Sequence, residues 1–213
     1  MTVIAAIRTP TSILMGGDSA QNTNGSIALV AAPKVFINGD YLFGVAGSPR
    51  LAEIVQHTFI PPCKTEGTTW GQFLVRSFLP KLKTALGPDA SLMEKSSILV
   101  GTKGVGIFSV DHNWFVAQSQ EPYAAIGSGG SFALGSFHST RGDPHRRLRK
   151  ALNAAAHLNA YVRPPFTILE LPEAGFDEEL WAETEELPDR SVLLAVDPDD
   201  HGWHRLESVG EDS

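Results

Sequence analysis

The sequence predicts an α+β fold, a four-layer sandwich in which two antiparallel sheets pack face to face and a pair of helices covers each sheet. Short apolar segments separated by turn residues come in consecutive runs, which favours hairpins. Helical segments come in pairs between these runs, whereas a parallel sheet would need strands and helices to alternate one by one. The 213 residues, 42% of them hydrophobic, suffice for one substantial core.

Turn residues divide the apolar segments into strands. Pro10 suits the first central position of a turn, and Asn38-Gly39 is the strongest short hairpin signal in the chain. Residues 19–25 are polar and are predicted to form a loop. The predicted strands are residues 3–8, 13–17, 26–32, 34–37, 41–46, 97–101, 106–110, 114–118, 123–126 and 166–171.

Capping signals predict two helix pairs. Ser48-Pro49 and Asp143-Pro144 each place a capping residue before a first-turn proline. Pro80 is expected to divide a long amphipathic helix, and Gly87-Pro88 ends it. The predicted helices are residues 49–57, 68–86, 131–138 and 144–161, the third of them opened by a glycine-rich turn.

Composition excludes several classes of function. No segment approaches 18 uninterrupted apolar residues, and no basic region precedes a long apolar stretch, so we expect neither a membrane span nor a secretory leader. The single cysteine, Cys63, cannot form an internal disulfide, which is typical of a reducing compartment, and we expect a cytoplasmic protein. The seven histidines lack paired ligand spacing, so we expect no metal site and no cofactor.

Charge is divided unevenly along the chain. Residues 170–213 hold 15 of the 24 acidic residues and 2 of the 17 basic ones, so the rest of the chain is mildly basic. We therefore predict a main domain over residues 1–171 and an acidic extension over residues 172–213 that packs on or beside it. The basic part lacks interleaved aromatic residues and any recognition motif, so nucleic-acid binding is not expected.

Thr2 is the strongest catalytic candidate. Initiator methionine is normally removed before a small residue, and this cut would place a hydroxyl and a free α-amine on Thr2. An N-terminal threonine can use its own amine as general base. An α-amine titrates at about 7.7–8.0, close to working pH. Many chains begin Met-Thr, so the interpretation depends on whether Thr2 has partners elsewhere.

Five short motifs supply such partners in a consistent order. At these motifs the chain resembles the proteasome β-subunit family, and within it the bacterial HslV-type peptidases, which are threonine proteases of the N-terminal-nucleophile hydrolase class. The resemblance covers about residues 2–171 without a large gap. The motifs are Thr2-Val3-Ile4, Gly17-Asp18, Lys34-Val35, Gly44-Val45-Ala46-Gly47 and Ala125-Ile126-Gly127-Ser128-Gly129-Gly130.

The resemblance implies a role for each residue. Thr2 Oγ1 would attack the scissile carbonyl. Lys34 would stabilise the developing alkoxide, and Asp18 would hold Lys34 by a charge-assisted hydrogen bond. The Gly44 N–H would donate to the oxyanion, and Ser128 would bind the Thr2 amine or a bridging water. Taken singly, each has a structural explanation, namely a loop cap for Asp18, a solvated lysine for Lys34, a bulge for Gly44 and an N-cap for Ser128.

The chain departs from the family pattern near the end of the last helix. Proteasome β-subunits usually carry an aspartate there that helps orient the amine, whereas this chain offers His157 or Asn159. Ala32 and Leu42 are expected to lie near the pocket for the residue before the cut, which would then be apolar.

The resemblance also implies how the protein works with others. It predicts stacked homo-oligomeric rings, a protein or peptide substrate, and an ATP-dependent unfoldase as a partner. Two alternatives keep the same fold. One is a catalytically silent shell or scaffold subunit, and the other is an amidohydrolase of the N-terminal-nucleophile class acting on a small amide.

Overall fold

A computed structural model describes residues 2–23, 26–103 and 106–172 of the chain. The acidic extension predicted for residues 172–213 therefore lies, apart from Pro172, outside the described residues. The strands are β1 (Ile4–Arg8), β2 (Ser12–Asp18), β3 (Ala20–Thr23), β4 (Ser26–Leu29), β5 (Val35–Asn38), β6 (Tyr41–Ala46), β7 (Ser97–Thr102), β8 (Gly106–Val110), β9 (Val116–Gln118), β10 (Tyr123–Ile126) and β11 (Phe166–Pro172). The α-helices are α1 (Pro49–His57), α2 (Trp70–Phe73), α3 (Leu79–Leu86), α4 (Gly130–Ser139) and α5 (Pro144–Leu158).

Every strand pairs antiparallel with its neighbours in the described part of the chain. The first sheet has the order β10-β1-β2-β11, and the second has the order β5-β6-β7-β8-β9. β3 and β4 form a separate two-stranded hairpin. The first sheet therefore joins strands from both ends of the described chain, and β1 lies inside it.

Three hydrophobic layers hold the elements together. Alternate residues of β1 and β2, and Val3 just before β1, share a buried cluster with residues of α4 and α5 such as Ala155. The opposite faces of the same strands, including Ile4 and Met15, pack against the second sheet. The far face of that sheet packs under α1 and the helical segment that ends in α3, around Phe43 and Phe78. The layers are thus helices, sheet, sheet and helices, which confirms the predicted fold class.

The structure differs from the prediction in three local features. Residues 20–23, predicted as loop, form β3, because polar residues can pair in a two-stranded hairpin without facing a core. Pro80 lies in the first turn of α3, and the helix before it continues as a π-helix, Leu74–Phe78. Ser48 occupies the N-cap position of α1, but its side chain makes no capping hydrogen bond.

Candidate active site

Antiparallel pairing gathers four of the predicted residues at one edge of the first sheet. Thr2 lies two residues before β1, Asp18 ends β2, and Ser128 lies two residues after β10. Because β1 pairs antiparallel with both β2 and β10, the start of β1 and the ends of its two neighbours lie side by side. Lys34, directly before β5, reaches the same place from the second sheet.

Gly17 lets the two sheets approach closely at this edge. A Cβ on Gly17 would lie 2.8 Å from Ile4 Cδ1 and 2.9 Å from Val35 Cγ2, distances at which real Cβ atoms do not occur. Val35 follows Lys34 directly, so the missing side chain allows the lysine to come within hydrogen-bond reach of Asp18. Glycine is required here for space, since its φ is not in the left-handed region.

Asp18 is a buried carboxylate whose two oxygens are both used. Its residue is 2% exposed. Oδ1 accepts from the Val3 N–H at 3.0 Å and from Lys34 Nζ at 2.9 Å. Oδ2 accepts from the Ala20 N–H at 3.1 Å. These donors fix the carboxylate rigidly next to the first residues of β1.

Lys34 connects this carboxylate to the hydroxyl of Thr2. Its Nζ lies 3.1 Å from Thr2 Oγ1 and also donates to the Ala20 carbonyl. Burial lowers the pKa of Lys34 from its ordinary value, and the charge and hydrogen bond of Asp18 oppose this shift only in part. The site thus contains a cation or proton donor directly beside a hydroxyl that is itself buried, since Thr2 is 5% exposed.

The main chain of Thr2 is held from the β10 side. The Thr2 nitrogen donates to Ser128 Oγ at 3.2 Å, and the Gly129 N–H donates to the Thr2 carbonyl at 3.1 Å. Gly127 has a φ of +84°, and a Cβ there would overlap the Thr2 carbonyl. The glycines of this turn therefore allow the backbone to pass close to Thr2, which is a more specific role than the opening of a helix.

Asn159, and not His157, contacts this group of residues. Asn159 is the C-cap of α5, and its Nδ2 donates to Ser128 Oγ at 3.2 Å. His157 is an exposed residue in the last turn of the same helix. Of the two residues that could stand in for the family's aspartate, His157 and Asn159, it is therefore Asn159 that contacts Ser128.

Gly44 does not face the site, and this corrects its predicted role. A Cβ on Gly44 would lie 2.8 Å from Met15 Sδ and would overlap Ile4, so the glycine serves close packing between the sheets. The Val45 N–H donates to the Lys34 carbonyl on the β5 side of β6. Successive N–H groups of a strand point to opposite sides, so the Gly44 N–H faces β7.

Gly47 is the glycine beside the candidate nucleophile. It lies two residues after Val45, so its N–H faces the side of β6 on which Lys34 lies. Its φ of +124° turns the chain out of the strand. The sequence motif contains both Gly44 and Gly47. They are distinguished by the side of β6 to which each N–H points and by the position of the cavity.

A cavity of about 260 Å³ lies against Thr2. A second cavity of about 490 Å³ shares Gly47 and Lys95 with it, so the two adjoin. The smaller cavity is the one that contacts the candidate nucleophile. The residues lining the smaller cavity are Thr2, Ala46, Gly47, Lys95, Ser97, Gly127 and Ser128.

Neither predicted substrate-pocket residue lines these cavities. Leu42 is fully buried and packs between the sheets with Ile4 and Leu99, so it has no surface for a substrate. Ala32 is exposed in the segment between β4 and β5. The prediction for Leu42 is wrong because residue type alone does not tell which face of β6 is covered by the other sheet.

Gly44→Ala is expected to destabilise the fold by about 1–3 kcal/mol, because the added methyl overpacks the core against Ile4 and Met15. Chemical denaturation measures the change in the free energy of unfolding. Gly135→Ala in α4 is the matched control, since its Cβ would meet nothing within 4 Å. That variant should be as stable as the parent or more stable, by up to about 1 kcal/mol. Equal stability of the two variants would contradict the packing role of Gly44.

Comparisons with known proteins find relatives of this chain in sequence and in fold. The ATP-dependent protease subunit HslV of Caldicellulosiruptor saccharolyticus is 26% identical over 178 residues, which cover 80% of this chain and 98% of the relative. Thiobacillus denitrificans BPH in complex with epoxomicin matches with a TM-score of 0.67 and 20% identity, over 81% of this chain and 99% of that one. HslV from Trypanosoma brucei matches with a TM-score of 0.61 and 20% identity, over 80% and 99%. No family model matches the chain.

The fold is the α+β sandwich of the N-terminal-nucleophile hydrolases, with HslV and proteasome-type proteins as its structural neighbours. By sequence and by fold the chain is therefore similar to HslV proteins. Within the described ranges, no helix is both long and apolar enough to cross a membrane.

Proposed function

We propose that this protein is a threonine-type endopeptidase subunit whose nucleophile is Thr2, exposed as the N-terminus by removal of Met1. One observation carries the proposal. Lys34 Nζ lies 3.1 Å from Thr2 Oγ1 and 2.9 Å from the buried Asp18 Oδ1. A hydroxyl held against a buried lysine and carboxylate is an arrangement that suits nucleophilic attack.

In the proposed reaction, Thr2 Oγ1 attacks the scissile carbonyl carbon, and the Thr2 amine accepts the hydroxyl proton directly or through a water. The ammonium of Lys34 offsets the negative charge that develops on Oγ1. Gly47 lines the same cavity, and its N–H would donate to the oxyanion. The amine then returns the proton to the leaving nitrogen. Water hydrolyses the resulting ester and restores the threonine.

The adjoining cavities favour a peptide over a small amide as substrate. A small amide needs only the space of about 260 Å³ at Thr2, whereas the second space of about 490 Å³ offers room for a further stretch of chain. The small-amide amidohydrolase is accordingly only the second candidate. Cleavage of a peptide bond inside a substrate of several residues would support the endopeptidase over the amidohydrolase.

A catalytically silent scaffold is disfavoured by the burial of Asp18 and Lys34. Removing a carboxylate and an ammonium from water is costly, and a well-packed apolar pair of similar volume is often as stable or more stable. The side chain of Asp18 is fully buried and that of Lys34 is 15% exposed. A subunit without catalysis would gain nothing evident from this pair.

Assembly and location are further parts of the proposal. We propose stacked homo-oligomeric rings that enclose the sites, because an unselective peptidase must be kept from folded proteins. An ATP-dependent unfoldase is the expected partner, in keeping with the name of the HslV relative as an ATP-dependent protease subunit. The lone Cys63 requires no oxidising compartment, and we propose a cytoplasmic location.

The proposal is tested by intact mass and by labelling with epoxomicin. Epoxomicin has an electrophilic carbon in its ketone and another in the neighbouring epoxide. A residue with both a hydroxyl and a free amine can therefore form a bond to each. We expect the purified protein to lack Met1 and to carry the inhibitor on Thr2, with loss of peptide cleavage. Retention of Met1 would favour the scaffold. Labelling at another residue would exclude Thr2 as the nucleophile.

A further inference from the structure

Asn159 is held so that only its amide NH₂ group can face the site. Its backbone N–H donates to the Ala155 carbonyl at 2.9 Å, and its carbonyl accepts from the Val162 N–H at 3.1 Å. Its Oδ1 accepts from the Tyr161 N–H at 3.0 Å. A flipped amide would set an NH₂ group against that N–H, so the hydrogen bonds determine which end points to Ser128.

The orientation of Asn159 determines how Ser128 meets Thr2. Ser128 Oγ receives one hydrogen bond from Asn159 Nδ2 and one from the Thr2 nitrogen, both at 3.2 Å. A hydroxyl has two acceptor lone pairs and one proton. Both lone pairs are therefore used, and the proton is directed to the Thr2 carbonyl, 3.5 Å away. In the chain that still carries Met1, Ser128 thus accepts from the peptide N–H of Thr2, and its other hydrogen-bond donor, Asn159, is uncharged. The free amine that removal of Met1 would produce occupies the same position.

We propose that Asn159 is a positioning residue that acts through Ser128 to hold the Thr2 nitrogen as an uncharged base. This inference rests on the proposed function, since it requires a free amine on Thr2. A carboxylate in the place of the amide would favour the protonated amine by its charge. The amide keeps the same shape and the same bond from Tyr161 without adding that charge, so the amine is available as a base at a lower pH.

Other charged or titratable groups lie near this part of the site and are the same in the parent and in Asn159→Asp. Asp18 and Lys34 face it from β2 and from the segment before β5. Lys95 lines the cavity at Thr2. The Arg163 guanidinium donates to the Asn159 carbonyl at 3.4 Å. His157, exposed near the end of α5, carries an imidazole.

The test compares the pH dependence of kcat/KM for peptide cleavage by the full-length protein and by Asn159→Asp. The new carboxylate should raise the pKa of the Thr2 amine, and a base must be deprotonated to act. The acid limb should therefore move to higher pH by about one unit. Asn159→Ala removes one hydrogen bond to Ser128 and should lower kcat roughly threefold to tenfold without this shift.

Two controls separate this role from general effects of charge and structure. Asn153→Asp adds the same charge at an exposed position of α5 and should leave the acid limb unchanged. His157→Gln should also leave it unchanged. A profile of Asn159→Asp that overlays the parent, or a loss of thermal stability without a shift of the acid limb, would overturn the proposal.

A readout without turnover distinguishes failure of this inference from failure of the proposed function. The rate at which a small acylating reagent modifies the Thr2 amine, followed by peptide mass across pH, reports the ionisation of the amine directly. If the acylation profile of Asn159→Asp is shifted relative to the parent but neither protein cleaves peptides, the role of Asn159 is supported and the peptidase function is excluded. If the parent cleaves peptides but the acylation profiles of the parent and Asn159→Asp are identical, the peptidase proposal stands and the role of Asn159 is excluded.

Discussion

Thr2→Ala is expected to abolish peptide cleavage, lowering kcat/KM by about 10⁴-fold or more, because loss of a nucleophile leaves only the contributions of binding and of the oxyanion donor. Fluorogenic peptide hydrolysis at fixed protein concentration measures the effect. The variant should remain folded. Lys34 keeps its bonds to Asp18 and to the Ala20 carbonyl when the hydroxyl is absent.

Thr2→Ser is the matched control for this variant. Serine and alanine are both small, so Met1 should be removed in each, and the two variants then differ only in the hydroxyl. Thr2→Ser should retain measurable cleavage and labelling by epoxomicin, whereas Thr2→Ala should lose both. Cleavage by Thr2→Ala at the parent rate would exclude the proposed mechanism, and an unfolded Thr2→Ala would be revealed by its circular dichroism spectrum.

Asp18→Asn is expected to lower the free energy of unfolding by about 3–5 kcal/mol and to remove most of the activity. The carboxylate accepts from the Val3 N–H, the Ala20 N–H and Lys34 Nζ through two oxygens. An amide has a single acceptor oxygen, so at least one of these donors would face an NH₂ group. The ammonium of Lys34 would also lose its counter-charge. Urea denaturation and peptide hydrolysis measure the two effects.

The double variant Asp18→Asn/Lys34→Met distinguishes the electrostatic cause from general damage. It removes the ammonium that Asp18→Asn leaves without a counter-ion, so it should recover part of the lost stability. It should not recover activity, because the group that stabilises the developing alkoxide is absent. A single variant as stable as the parent, or a double variant no more stable than the single one, would contradict the electrostatic coupling of the two residues.

Local signals in the chain predicted the elements well where turn chemistry was decisive. Asn38-Gly39 joins β5 to β6, and Asp143 caps α5 through the Arg146 N–H at 2.8 Å. β3 was missed because three of its four residues, Gln21, Asn22 and Thr23, are polar and because, within the described residues, it pairs with β4 alone. Periodicity detects a strand by its buried face, and an isolated hairpin need not have one.

The candidate site was predictable in part. Thr2, Asp18, Lys34 and Ser128 were identified by the resemblance of their motifs to the proteasome β-subunit family. The structure brings them together, although their roles remain predictions. The choice of Gly47 over Gly44 as the proposed oxyanion donor depends on which side of β6 each N–H faces. That side is set by the pairing of Val45 with Lys34, a contact between strands that spacing does not contain.

The sequence by itself determined the four-layer α+β architecture, because turn residues, caps and hydrophobic periodicity are local properties of the chain. It also determined which polar residues were candidates around Thr2. Only the tertiary structure decided that Leu42 is sealed between the sheets, that Gly47 lines the cavity and that the amide of Asn159 meets Ser128. These facts depend on contacts between segments distant in the chain, such as the 31 residues separating Ser128 from Asn159, and on the register in which the strands pair.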